Sequence, residues 1–184
     1  MMKPIMRPMI AAPADNLERE YIFRPEYTFR PMTTADLPML RNWLEEPHVT
    51  EWWGDAAEQF ALVRGDLDDP AMEQFIVAIG DRPFAYLQCY DPSAWPDNGL
   101  GVQPLGTRGI DQFIGEPAMM GHGHGSAFIG NFLERLIRSG TPRVVTDPDP
   151  ANLRAVRAYE KAGFESVGLV DTPDGRALLM VHDA

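Results

Sequence analysis

The stretch TDPDPANLRAVRAYEKAGF, Thr146 to Phe164, contains a strand end, a proline-marked boundary and a short helix closed by a glycine. Asp149 reads as the helix N-cap and Pro150 as its first residue. Gly163 reads as the residue that ends it. On such a helix Asn152, Val156 and Tyr159 fall at i, i+4 and i+7, along one face. At 1.5 Å rise per residue, Asn152 and Tyr159 stand about 10 Å apart along the axis. A polar ridge of that length suits a long, thin ligand. On an isolated helix the plainer reading of Tyr159, a half-buried tyrosine with its hydroxyl at the surface, would win.

The neighbouring segments give that helix its context. YTFRPM, from Tyr27, reads as a strand. TTADLPMLRNWLEE reads as a helix, with Thr33 and Asp36 in capping-box spacing and Leu37, Leu40, Trp43 and Leu44 on one face. HVTEWWG is a short turn or helix and DAAEQFALVRGDLDD another helix. QFIVAIGDRPFAYLQCY reads as a hairpin, with Phe75, Val77 and Ile79 alternating before Gly80-Asp81 and Ala85, Leu87 and Cys89 after it. A Pro- and Gly-rich loop follows, then the strand TRGIDQFIGEP. GHGHGSAFIGNFLERLIRSG is a glycine loop running into an amphipathic helix. RVVTDP is a short buried strand, and two last strands, 164–170 and 176–182, flank DTPDG. The order β-α-α-β-β-β-α-β-α-β-β predicts an α/β or α+β domain over residues 27–184 with a partly parallel sheet. Residues 1–26, interrupted by Pro4, Pro8 and Pro13, read as an N-terminal extension without the apolar run of a signal peptide.

Composition narrows the function. The 184 residues, 45% of them hydrophobic, suit one domain with a full core. A net charge of −11 argues against nucleic acid and suits a cationic small molecule, though solubility alone accounts for most of those charges. Cys89 is the one cysteine, so no intrachain disulfide forms, and a reducing, cytoplasmic setting is expected. No apolar run is long enough to span a bilayer. The expected assembly is a monomer or weak homodimer.

Gly121 to Gly125, GHGHG, lies between a strand and a helix. Glycines let backbone N–H groups approach an anion, and the following helix turns its positive end to the same place. The loop lacks the Gly-Lys-Ser/Thr of a nucleotide-triphosphate loop and the G-x-G-x-x-G of a dinucleotide fold. His122 and His124 have no third ligand at suitable spacing, so no metal is expected. A phosphate-bearing cofactor held by Gly121, His122, Gly123, His124, Gly125 and Ser126 is the functional reading; a plain glycine turn is the other.

Strand, glycine loop, short strand and helix in this order resemble the acetyl-CoA-binding core of the GNAT N-acetyltransferase superfamily, over about Tyr27 to Val181. Within it, EWWG, RGIDQ, TDPDPANLRAVRAYEKAGF and TPDG resemble the aminoglycoside 6′-N-acetyltransferases. The resemblance implies a splayed mixed sheet, with pantetheine in the splay beside Gln112, Phe113, Ile114 and Asn152 and pyrophosphate on the glycine loop. That loop commonly opens with Arg or Gln in the superfamily; here Met120 stands there. The resemblance further implies Asp111 as the base, Tyr159 as the acid for the leaving thiolate and Asp147 as a substrate contact. On chemistry alone, Asp111 could instead be a strand-end partner of Arg108. Asp97 and Asp174 suit a polycation or simply their turns. Trp52, Trp53 and Trp95 suit stacking on sugars or cations, with one of the adjacent pair Trp52 and Trp53 expected in the core. IGEPAMMGHGHGSAF also resembles the acyltransferases of siderophore assembly, but that group tends to carry His where Asp111 stands. A third alternative is a relative that binds coenzyme A or a drug without turnover.

Overall fold

The computed structural model describes residues 25–184. The extension read over residues 1–26 lies, except for its last two residues, outside them. The chain runs β1 (Tyr27–Pro31), α1 (Leu37–Leu44), α2 (Pro47–Trp53), α3 (Ala56–Gly65), β2 (Met72–Ile79), β3 (Arg82–Tyr90), β4 (Arg108–Ile114), α4 (His124–Arg138), β5 (Arg143–Thr146), α5 (Leu153–Ala162), β6 (Glu165–Thr172) and β7 (Gly175–Asp183). HVTEWWG thus contributes a helix of its own, α2, started by Pro47 and stopped by Gly54 at φ 85°. The last hairpin is tighter than expected: β6 and β7 reach Thr172 and Gly175, leaving Pro173 and Asp174 as the turn. Among the described residues no helix is long and apolar enough to cross a membrane.

The strands form one seven-stranded sheet in the order β1-β2-β3-β4-β5-β7-β6. Every pairing is antiparallel except β4 with β5. Helices cover both faces, so the central hairpin is buried without interruption over 74–77 and 84–87. Phe75, Val77, Ala85 and Leu87 face α4 and α5, where Phe128, Ile129, Phe132 and Leu133 meet them. Ile76 and Tyr86 belong to the opposite core, with Leu40, Trp43, Leu44, Val49 and Val63 from the first three helices.

The start of α5 differs from the sequence reading. Its N-cap is Asn152, whose Oδ1 accepts the Ala155 N–H at 3.1 Å. Asp149 caps a separate turn, accepting the Ala151 N–H at 2.7 Å while its carbonyl takes the Asn152 N–H at 2.9 Å. Both residues are good caps; the chain changes direction at the first and becomes helical only after the second. The helix end is as expected: Gly163 sits at φ 103°, and the Phe164 N–H returns to the Tyr159 carbonyl at 3.0 Å.

The feature that makes a site is the pairing of β4. On one side it is paired with β3 from Gly109 to Ile114. On the other it meets β5 at only two positions, Arg108 with Val144 and Gly109 with Val145. Beyond Gly109 the parallel strands part, and the inner edge of β4 from Ile110 onward has no strand partner. The Tyr90 ring lies over Gly109, where a Cβ would come within 2.3 Å of it, so only glycine fits at the point of divergence.

Candidate active site

Two clefts meet at this divergence and share Trp52, Trp53, Gln112, Asn152 and Ala155. The first, about 350 Å³, runs from Gln112, Phe113 and Ile114 on β4 to Gly121, Gly123, His124, Gly125 and Ser126 at the start of α4. Gly121 and Gly123 take φ of 78° and 80°, a backbone that L side chains rarely adopt, and a Cβ on either would meet nothing within 4 Å. The glycines therefore shape the backbone while the loop's surface stays open. Arg154, Arg157 and Lys161 of α5 line the same cleft, together with His48, and no carboxylate does.

The second cleft, about 500 Å³, has the opposite character. Asp55, Glu58, Asp111, Asp147, Asp149 and Asp174 line it, with Arg176 the one Arg or Lys among its lining residues. Asp55 is partly committed as the cap of α3, accepting the Ala57 and Glu58 N–H groups. Tyr159, Thr146 and Gln88 complete the floor near Asp111.

Asp111 is not paired with Arg108. That guanidinium turns away, bonding Glu73 at 2.6 Å and the Cys89 carbonyl at 3.2 Å. Asp111 instead accepts a hydrogen bond from Gln88 Nε2 at 3.0 Å. Burial raises its pKa above the ordinary carboxylate range, the Gln88 donor opposes that, and the charge of Asp174 adds to it. Asp147, just past the end of β5, is raised by burial and by the charges of Asp111 and Asp174. The two carboxylates titrate as a pair, and this pair takes up protons at a higher pH than isolated carboxylates do. Tyr159 is 3% exposed, its ring edge-on to Phe164 at 5.3 Å. Burial and the charge of Asp111 raise its pKa, with the Thr146 and Gln112 side chains pulling the other way, so it stays a protonated donor at neutral pH.

The structure sorts the remaining sequence candidates. Trp52 and Trp53 both reach the clefts, and Trp53 also packs on the Tyr86 and Phe113 rings at 5.9 and 4.8 Å. Asp174 reaches the acidic cleft from the last hairpin turn. Trp95 packs edge-on to Tyr90 at 6.1 Å, and neither it nor Asp97 is among the residues lining either cleft. His122 is also absent from the lining, while His124 is present, its Nδ1 2.8 Å from the Tyr27 hydroxyl. The Ser126 hydroxyl donates to the Gly123 carbonyl at 3.1 Å, so its hydrogen is committed within the loop. Asn152 spends its carbonyl oxygen on the helix cap and retains its NH₂ group for the junction of the clefts. Among the described residues no cluster of three or more His, Cys, Asp or Glu side chains could hold a metal ion. Sequence reasoning missed Gln88, His48 and the cations Arg154, Arg157 and Lys161. The i, i+3, i+7 spacing of those three cations was the signal to follow.

Residues 32–172 match the model of the acetyltransferase (GNAT) domain family. The chain belongs to the GNAT acetyltransferases. An aminoglycoside N(6′)-acetyltransferase type 1 of Klebsiella pneumoniae is 37% identical to this GNAT chain over 166 residues, covering 84% of it and 82% of the relative. A kanamycin resistance protein of Rhizobium radiobacter is 47% identical over 78 residues, 42% of this chain and 72% of that one. The crystal structure of aminoglycoside acetyltransferase AAC(6′)-Ib with coenzyme A and kanamycin superposes with a TM-score of 0.78 at 36% identity, covering 86% of this chain and 95% of that one. The splayed mixed sheet of this acetyltransferase is thus the GNAT fold.

The raised carboxylates have a consequence for stability. A folded-state pKa above the unfolded value means that the folded protein holds its protons more tightly. The stabilisation is complete below about pH 4, the unfolded value, and is lost as pH rises through the folded values. One pKa unit is about 1.4 kcal/mol, and each kcal/mol moves Tm by about 2–4 °C in a domain of this size. Asp147→Asn should therefore reduce the decline in Tm between about pH 4 and neutrality by several degrees. Parallel melting curves of native protein and variant check this, and identical slopes would contradict the burial of Asp147.

Proposed function

We propose that this chain is an acetyl-CoA-dependent N-acetyltransferase whose acceptor is a polycationic amine, the 6′-amine of an aminoglycoside. The observation that carries this is the polarity of the joined clefts: cations and an open glycine loop on one side, carboxylates on the other, with Asp111, Gln112 and Tyr159 around the junction. Relatives whose names specify aminoglycoside N(6′)-acetylation, and a related structure with coenzyme A and kanamycin, support the same reading.

Bound acetyl-CoA would supply a thioester whose acyl carbon accepts the amine. The amides of His122 to Ser126 would hold its pyrophosphate at the positive end of α4, with Arg154, Arg157 and Lys161 in reach of its phosphates. The unpaired edge of β4 offers backbone groups to the pantetheine and an N–H near Asp111 to the carbonyl oxygen. Asp111, Asp147 and Asp174 would attract and orient the polycation. Asp111, poised by burial closer to neutrality, is a better proton acceptor than an ordinary carboxylate and takes the proton of the attacking ammonium. Tyr159 donates its hydroxyl proton to the departing thiolate as the C–S bond breaks, and the second nitrogen proton, released as the amide forms, restores the phenol through water. Trp52 and Trp53 offer flat faces to the sugar rings.

The test is thiol release from acetyl-CoA with kanamycin, a linear polyamine and a hydroxylamine as separate acceptors. Acetylation of kanamycin at the 6′-amine is expected. Turnover of the hydroxylamine alone would favour the siderophore-type relative, and binding without turnover a non-catalytic one. Because the attraction is electrostatic, kanamycin affinity should fall by about an order of magnitude as added salt shortens the Debye length from about 30 Å to about 8 Å. Calorimetry at two salt concentrations reads this directly; a salt-independent affinity would contradict the role of the carboxylates.

A further inference from the structure

We propose that Gln88 is a positioning residue for Asp111: a one-way hydrogen-bond chain from Tyr86 through Gln88 holds one oxygen of the carboxylate and leaves the other for the substrate amine. This rests on the acetyl-transfer reading of the site.

The placement follows from register. Gln88 and Asp111 stand directly opposite each other in the antiparallel pair β3 and β4, so their side chains leave the sheet on the same face. Tyr86 lies two residues before Gln88 on the same strand and therefore on that face too. Its ring is fully buried against Trp53 and Phe113, which leaves the phenol little freedom to swing.

The chain has a direction. The Tyr86 hydroxyl donates to Gln88 Oε1 at 3.0 Å, and Gln88 Nε2 donates to Asp111 Oδ2 at 3.0 Å. Reversing the amide would set its oxygen against the acceptor-only carboxylate, whereas the Tyr86 hydroxyl can turn to donate or accept. The carboxylate thus sets the amide orientation, and Tyr86 anchors it by donating to the Oε1 that this orientation leaves. Burial keeps the phenol protonated, as a donor must be. Among the described residues Gln88 makes the one hydrogen bond to the Asp111 carboxylate. Other ionisable groups line the cleft around Asp111: Asp147 and Asp149 after β5, Asp174 in the last turn, Arg176 on β7, Asp55 and Glu58 at the start of α3 and Tyr159 on α5, with Tyr90 of β3 feeling its charge. The one cation among them, Arg176, makes no hydrogen bond to the Asp111 carboxylate. Gln88 therefore favours the ionised, proton-accepting form against burial and like charge.

The experiment follows the Asp111 carboxyl by carbon NMR of aspartate-labelled protein, with Asp111→Asn identifying the signal. It also records the pH dependence of kcat/KM with kanamycin. Gln88→Met keeps the side-chain length and removes the donor. Its Asp111 midpoint should rise by roughly one pH unit, and the acidic limb of kcat/KM should move with it, while coenzyme A affinity stays native. Tyr86→Phe should shift the midpoint the same way by less, since the amide donor remains but loses its anchor at Oε1. Adding Tyr86→Phe to Gln88→Met should shift it no further. An unmoved midpoint in Gln88→Met that binds coenzyme A normally overturns the proposal, and so does a double variant whose shift is the sum of the two. If Gln88→Met loses coenzyme A binding, the Tyr86→Phe midpoint decides alone, and a native value there overturns the proposal. If native protein acetylates nothing, the acetyl-transfer reading fails by itself, and the carboxyl titration still decides the Gln88 chain.

Discussion

Asp111→Asn should lower kcat/KM for the aminoglycoside by about 10²–10⁴-fold, the usual cost of losing a general acid or base. The substitution preserves shape and leaves an amide oxygen for the Gln88 Nε2 donor now 3.0 Å away. It removes the group that accepts the ammonium proton, and it removes one negative charge from beside Asp147. The loss should be steepest at low pH, where the substrate amine is almost wholly protonated. Asp147, relieved of its charged neighbour, should ionise at lower pH than in the native protein. Steady-state rates across pH 6 to 9, a window around neutrality, with coenzyme A affinity as a control on the other cleft, check both parts. A variant with native kcat/KM would remove Asp111 from the chemistry and leave it as a binding charge.

Tyr159→Phe removes one hydroxyl and keeps the ring on Phe164. The expected result is a fall in kcat of about 10²–10⁴-fold with KM little changed, because the thiolate charge it meets develops only as the C–S bond breaks. The Asn152 cap and the Gly163 terminus of α5 are untouched, so Tm should stay near the native value. A loss of kcat with unchanged Tm and KM separates proton donation from packing. Native turnover would reduce Tyr159 to a core tyrosine whose hydroxyl reaches the cleft without chemical consequence.

The sequence alone carried the elements and the chemical inventory. The capping box before α1, the alternation in β2 and β3, the glycine that ends α5 and the glycine loop before α4 are local patterns, governed by backbone geometry within a few residues. Asp111, Tyr159, Asn152 and the loop glycines were legible for the same reason, since each lies in a short motif. The start of α5 was misread because two good caps, Asp149 and Asn152, compete locally and only the path of the chain chooses between them.

What the tertiary structure decided depends on residues far apart in the chain. Trp95 and Asp97 have the same chemistry as Trp53 and Asp174, yet the fold keeps the first two out of the cleft lining and brings the second two into it. The divergence of β4 from β5 after Gly109 is a matter of pairing between strands more than thirty residues apart, which no local pattern encodes. Gln88 became a partner of Asp111 only through cross-strand register, 23 positions away. The raised pKa values of Asp111 and Asp147 come from burial and from like charge, Asp174 acting on Asp111 and both Asp111 and Asp174 on Asp147, and both effects exist only once the sheet has closed around them. The sequence thus determined which groups were available and on which elements they sit. Distance and desolvation, which decide what those groups can do, arise only when the elements are packed.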